Sequence, residues 1–274
     1  MNLQAKKQPT QPIKWTEYQG EDRVVSSAEL QARFATEPPC LFELSSGIPS
    51  LDEYVEKFRD GELITISGYT KNGKTLLAQT LTKRFADDHH FGLWFTYEVP
   101  VKQFLNQFPN TPLIYMPNML KAHDMGWVED RIRESCEKYG TRIVFIDHLH
   151  FLFDMARARN TSLEIGTVVR RLKQIANSGF LVFLLCHTSK GKSEGDPSYE
   201  AIRDSSLIAQ ESDSVFMVKR TPEEGDNAAR MRVEFHRRTG VMEKVVSLIK
   251  QNGYLYERMT DEMKADEDCR RYGR

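Results

Sequence analysis

LITISGYTKNGKT, residues 63–75, sets the reading of this chain. LITIS is apolar and β-branched, the composition of a buried strand. GYTKNGKT, from Gly68 to Thr75, has the spacing G-x-x-x-x-G-K-[ST]. A loop between a buried strand and a helix aims backbone N–H groups at one point, and the helix N-terminus adds the positive end of its dipole. Gly68 and Gly73 let the backbone come close to an anion. Tyr69, Thr70, Lys71 and Asn72 complete the cradle. In this pattern Lys74 reaches the β- and γ-phosphates of a nucleotide, and the Thr75 hydroxyl ligates Mg²⁺.

Outward from the loop, short apolar runs alternate with helical patterns. GLWFTYE (92–98), PLIYM (112–116), RIVFID (142–147) and FLVFLLC (180–186) read as strands. Residues 74–88, VKQFLNQF, 125–139 and 163–178 read as helices. Apolar runs buried on both faces, alternating with helices, predict a parallel sheet covered on both sides. SVFMVKR, RMRVEFH, VVSLI and YLYE then predict an antiparallel extension of that sheet. The expected class is α/β, with a mainly parallel central sheet flanked by helices. Upstream, Ser26 caps a helical pattern over 26–37 that Pro38 and Pro39 stop. SSGIPSLDEYVEKF reads as a loop leading into a short helix. The expected division is an N-terminal arm and helix over 1–44, a core over 45–260 and a charged tail over 261–274.

Bulk properties exclude several classes. A chain of 274 residues fits one large α/β domain with a short extension or two small domains, and its 40% hydrophobic and 28% charged residues are ordinary for a soluble protein. Its formal net charge is -1, so a polyanion would have to be met by a local patch. Cys40, Cys136, Cys186 and Cys269 are scattered and form no C-x-x-C pair, which favours reduced thiols over a disulfide frame. The longest apolar run, GFLVFLLC, is too short to span a bilayer, and MNLQAKKQPTQP lacks a secretory signal. A cytoplasmic protein with no membrane partner is expected.

Three further strand ends offer chemistry. Asp147 closes RIVFID, at the carboxyl end where ligands gather in open α/β sheets, and is a candidate Mg²⁺ ligand beside Lys74 and Thr75. An N-cap aspartate is the alternative reading. Glu98 closes GLWFTYE and is a candidate to orient and deprotonate water; a solvated surface glutamate fits the same spacing. His187 follows FLLC, where it can touch a γ-phosphate or serve as a satisfied core histidine.

Taken together, these segments resemble the RecA-like ATPase core of DnaB-type replicative helicases, a group with phage primase-helicases and the mitochondrial Twinkle helicase. The likeness runs from about Ser45 to Glu257. GYTKNGKT matches the Walker A loop, and IVFIDHLHFL resembles the Walker B segment that assigns Asp147. WFTYEVPVKQFLNQF is similar to the segment whose glutamate is the catalytic base, here Glu98. LCHTSK occupies the place of the phosphate sensor, His187. YEAIRDSSLIAQESD resembles the loop that grips single-stranded DNA, which implies Arg203, Asp204 and Ser206, with Ser206 standing where Gly is usual. Lys190 and Lys192 in the preceding TSKGKSEGDPS are added channel candidates. VEFHRRTG is similar to the segment that carries the arginine finger, here Arg238, with Arg237 beside it and His236 where Lys is usual. The helix over 26–37 stands where the family's linker helix packs on the adjacent subunit.

The resemblance implies ATP and Mg²⁺ as ligands and a hexameric ring as the working assembly. It also implies 5′ to 3′ movement on single-stranded DNA in replication, with a primase or helicase loader as a further partner. Two other readings share parts of the pattern. One is a RecA- or RadA-like recombination ATPase that forms filaments on DNA. The other is a KaiC-like regulatory ATPase that acts through protein partners.

Overall fold

The computed structural model describes residues 15–153, 160–187 and 205–259. The chain divides into two units, Met1–Pro39 and Cys40–Arg274. The first carries a short 3-10 turn and helix α1 (Ser27–Phe34). Ser26 caps α1 by accepting a hydrogen bond from the Glu29 amide at 3.1 Å. No residue of α1 is buried.

The second unit begins with a small antiparallel ribbon, β1 (Glu43–Leu44) and β2 (Phe58–Arg59), around helix α2 (Pro49–Val55). The larger elements follow in chain order. They are β3 (Leu63–Gly68), α3 (Lys74–Asp87), β4 (Gly92–Thr96), α4 (Val101–Gln107), α5 (Met125–Tyr139), β5 (Ile143–Asp147), α6 (Thr161–Asn177), β6 (Leu181–His187) and α7 (Ser205–Glu211). Strands β7 (Ser214–Arg220), β8 (Ala228–His236), β9 (Val241–Gln251) and β10 (Tyr254–Glu257) close the described chain. Among the described residues the main sheet has eight strands in the order β10-β9-β8-β7-β3-β6-β5-β4. From β7 to β4 every pairing is parallel, and from β7 to β10 every pairing is antiparallel.

Alternation along the strands divides the core into two layers. Ile64, Ile66, Trp94, Phe145, Phe183 and Phe216 face α2 and α3, where Leu77, Leu81 and Phe85 meet them. Leu63, Leu93, Val144, Ile146, Val182 and Leu184 face the other way, onto α5 and α6 through Val128, Ile132, Val169 and Leu172. Burying each of these large side chains contributes about 1.5–3 kcal/mol. Trp94, Phe145 and Phe183 are register partners on β4, β5 and β6. Their rings stack with centroids 4.7 Å apart at each step and planes 10° and 8° from parallel. A slip of one residue would turn this ladder to the opposite face, so it pins the register that brings the strand ends together.

The α/β class and the antiparallel extension are as expected. Three local readings change. PLIYM is no full strand: it makes one bridge, Leu93 to Tyr115, because the chain only touches the edge of β4 before α5. The ribbon β1–β2 was not expected, being two residues on each side, too short for a sequence period. The segment that the resemblance gives as a loop forms helix α7 over Ser205–Glu211. No helix among the described residues is long and apolar enough to cross a membrane.

Candidate active site

The parallel strands converge at their carboxyl ends, and Gly68 leaves β3 there. Its φ is +149°, and a Cβ on it would stand 2.3 Å from the Val218 carbonyl oxygen of β7. Only glycine fits this crossing. The loop turns through left-handed Lys71 (φ +66°) and Gly73 (φ +96°) before α3 begins at Lys74. Asn72 ties the loop to the sheet, its Oδ1 accepting the Arg220 amide at 2.9 Å.

Lys74 is buried, and its ammonium donates to the carbonyls of Gly68 and Tyr69, each at 3.1 Å. The side chain therefore lies folded across its own loop, over the hollow. Burial pulls its pKa below the ordinary lysine value, and the charges of Glu98 and Asp147 oppose that shift. Thr75 donates its hydroxyl to Asp147 Oδ2 at 2.8 Å, which joins the phosphate loop to the end of β5.

Asp147 is 1% exposed. Its other oxygen, Oδ1, is buried and has no hydrogen-bond donor among the described residues. Burial raises its pKa to about 6; the Thr75 hydroxyl lowers it, and the nearby Glu98 carboxylate raises it further. A desolvated carboxylate with a free oxygen and a second acid nearby suits a cation. The donor set of Thr75 and Asp147 is all oxygen, as Mg²⁺ requires. These residues fit the ion that the phosphate-loop pattern implies.

Glu98 lies two residues past β4, and its amide donates to the Asp147 carbonyl at 3.3 Å. The neighbouring Tyr97 amide donates to the same carbonyl at 2.6 Å. The Glu98 carboxylate is partly exposed and 3.8 Å from His187 Nε2. His187 ends β6 and is the register partner of Gly68, so it stands directly beside the phosphate loop. Glu98, Asp147 and His187 thus meet Lys74 and Thr75 at one place, from four neighbouring strand ends.

Two features of this edge were missed. His148 and His150 follow Asp147, and their Nδ1 atoms lie 3.2 Å apart. The His148 ring meets that of His187 edge to face, centroids 4.5 Å apart. Burial lowers the His148 pKa to about 3, with His187 and His150 adding to the effect, and burial also lowers that of His187. The H-x-H spacing in IDHLH was the available signal. The second feature is a cleft of about 230 Å³ beside the loop, lined by Lys71, Asn72, Arg220, Asp226 and Lys250 among others. Its walls come from β7 and the antiparallel strands, whose register is not visible in sequence.

Arg238 lies elsewhere. It follows β8, whose His236 pairs with Ser214 at the start of β7, so it sits at the amino edge of the parallel strands. Its Nε donates to Glu62 Oε1 at 2.9 Å, and its Nη2 donates to the carbonyls of Val55 and Lys57, each at 2.7 Å. It thereby covers the end of α2, where Glu56 and Lys57 are left-handed. Arg237 is held by the carbonyls of Ser212, at 2.7 Å, and Gln210. The candidates Arg203, Asp204, Lys190 and Lys192 lie outside the described residues, as does the side chain of Ser206.

The DnaB-like helicase C-terminal domain family matches residues 106–253. Comparison with curated protein sequences gives no match. Solved structures share the fold. A DnaB-like replicative helicase, described with its interactions with primase, superposes with a TM-score of 0.70 at 18% identity over 84% of this chain. This chain spans 66% of that helicase's length. The structure of an ATPase domain gives a TM-score of 0.67 at 18% identity, over 85% of this chain and 97% of that domain. A KaiC-like protein from the hyperthermophilic archaeon Pyrococcus horikoshii gives 0.61 at 16% identity, over 81% of this chain and all of that one.

Proposed function

The chain belongs to the DnaB-like helicase C-terminal domain family, and on that premise we propose that it is an ATP-driven motor on single-stranded DNA. The observation that carries the hydrolytic half is the Thr75–Asp147 contact at 2.8 Å, with Glu98 and His187 at the adjoining strand ends. In the proposed reaction water attacks the γ-phosphorus of ATP, and the bond to the β–γ bridging oxygen breaks. Mg²⁺, held by Thr75 and Asp147, would offset phosphate charge. Lys74 turns from its own carbonyls to the phosphates. Glu98 takes the proton from the attacking water. His187, beside Gly68, feels the γ-phosphate and links its loss to the segment that follows β6. The cleft at Arg220 and Lys250 offers cations and hydrogen-bond donors for the rest of the nucleotide.

Arg238 is assigned to a neighbouring copy's site. Strand β3 separates the two edges, and its six residues span roughly 17 Å at about 3.3 Å per step, beyond an arginine's reach of its own loop. Hydrolysis then requires assembly, which we read as a hexameric ring, with α1 as the linker on the adjacent subunit and Arg203, Asp204, Ser206, Lys190 and Lys192 toward the channel. Weak DNA contacts repeated around a ring add up through effective concentration. Movement is read as 5′ to 3′, in replication, with a primase or loader as partner. A second reading, a regulatory ATPase acting through protein partners, is compatible with the fold shared with the KaiC-like protein over 81% of this chain.

Electron microscopy of the ATP-bound protein, with anisotropy of labelled oligonucleotides, separates these. Rings that bind single-stranded DNA at low salt are expected. Filaments would support a recombination ATPase. Rings with no DNA binding in any nucleotide state would support the regulatory reading.

A further inference from the structure

Three donors of a different kind meet at the carboxyl edge. Glu98, His148 and His187 each present one ligand atom, and these atoms lie within 4.8 Å of one another. They arrive from the ends of β4, β5 and β6, whose mutual register is pinned by the Trp94–Phe145–Phe183 stack. The geometry points to a site for a divalent transition-metal ion of the zinc class, bound by these three side chains, that switches hydrolysis off by taking Glu98 as a ligand.

The donor set argues for this ion over Mg²⁺. Two imidazoles and a carboxylate suit Zn²⁺ and its neighbours, whereas Mg²⁺ prefers oxygen and has its own donors in Thr75 and Asp147. Zinc–ligand bonds of about 2.0–2.2 Å place tetrahedral ligand atoms about 3.3–3.5 Å apart. The Glu98–His187 pair, at 3.8 Å, is already near that spacing. Glu98 is the most exposed of the three and has the freedom to close the rest.

At His148 the surroundings are arranged as a metal ligand's would be. The Nδ1 of His148 is engaged by His150 at 3.2 Å, which leaves Nε2 as its ligand atom. A ligating histidine ordinarily has its second nitrogen held in this way. Three protein ligands leave a fourth position for water, as in open zinc sites.

The inhibitory half rests on Glu98 being the base proposed above; the binding half does not. A glutamate bound to zinc has given its lone pair to the ion and accepts a water proton poorly. A second dication this close to the Thr75–Asp147 site also opposes Mg²⁺ there by charge repulsion.

The test uses the tag-free full chain, stripped with chelator and returned to buffer containing Mg²⁺. Co²⁺ is titrated as a coloured stand-in for zinc, followed by visible absorption, with Zn²⁺ then added to displace it. Saturation near a single equivalent is expected, with at least about tenfold weaker binding in His148→Ala and in His187→Asn. Circular dichroism establishes that each variant is folded; if one fails to fold, the other decides. No absorption change, or folded variants that titrate like the parent, would overturn the site. In parallel, saturating Zn²⁺ should slow ATP hydrolysis of the parent at least about tenfold. It should slow His148→Ala much less, each measured against its own zinc-free rate. Undiminished hydrolysis in the zinc-loaded parent would overturn the switch. If the chain hydrolyses no ATP in any condition, the motor reading fails, and the Co²⁺ titration still decides the metal site.

Discussion

The two edges of the parallel sheet carry similar side chains and treat them in opposite ways. At the amino edge, Glu62 is buried and yet its pKa is lowered: burial raises it, but His236, the Arg59 amide and Arg238 together outweigh that. Asp213 is equally well served, by the Leu63 amide at 2.7 Å and the Lys173 ammonium at 2.6 Å. At the carboxyl edge, Asp147 is as buried as Glu62 but keeps an oxygen without a donor among the described residues and has a raised pKa. Lys74 has only its own loop's carbonyls, and His187 Nδ1 is buried with no partner among the described residues. A fully partnered charge holds a fold together, whereas an under-partnered one is poised for something from outside. The difference singles out the carboxyl edge as the candidate site and the amino edge as a clamp.

Glu98→Gln puts the largest strain on this contrast. It should leave nucleotide affinity near the parent's and slow hydrolysis about 10²–10⁴-fold, measured by phosphate release beside a nucleotide-binding titration. Hydrolysis at the parent's rate would remove Glu98 from the site.

Arg238→Ala probes the clamp. It uncovers the end of α2 and deprives buried Glu62 of its closest cation, so a loss of about 3 kcal/mol is expected in denaturant unfolding. Hydrolysis by the assembled protein should fall as well if the residue also serves a neighbour. Mixing this variant with Lys74→Ala subunits separates the roles, because activity returns only where an intact loop meets an intact arginine. Parent-like hydrolysis by Arg238→Ala alone would leave it a clamp residue only.

Asp147→Asn, read for stability in the absence of ligands, has the most telling sign. The folded carboxyl has a pKa of about 6 against an ordinary 3.8, so between those values the folded chain holds a proton that the unfolded chain has released. Stability therefore falls as pH rises through that window, and the deficit is complete above it. Without Mg²⁺ or nucleotide, the amide should stabilise the chain by about 3 kcal/mol at pH 8 and by little near pH 4. Thermal melts at both pH values measure this. A destabilised variant at pH 8 would break the contrast between the edges.

Much of the site could be read directly. Gly68 to Thr75 is a local device whose chemistry depends on residues adjacent in the chain, so spacing suffices to recognise it. Asp147, Glu98 and His187 end apolar runs, and the rule that ligands gather at carboxyl strand ends placed them. Strand β3 and helix α5 were legible because burial on both faces and a 3.6-residue period leave clear patterns. The ribbon β1–β2 was not, being too short for any period.

Partnership was decided in three dimensions. No spacing pairs Arg238 with Glu62, 176 positions away, or brings His148 to His187. Those meetings follow from the strand order and from the stacked rings that set its register. Local patterns are written in the chain because helices, strands and loops satisfy nearby groups. Which buried charge is matched and which left waiting depends on contacts that form only when distant strands lie side by side.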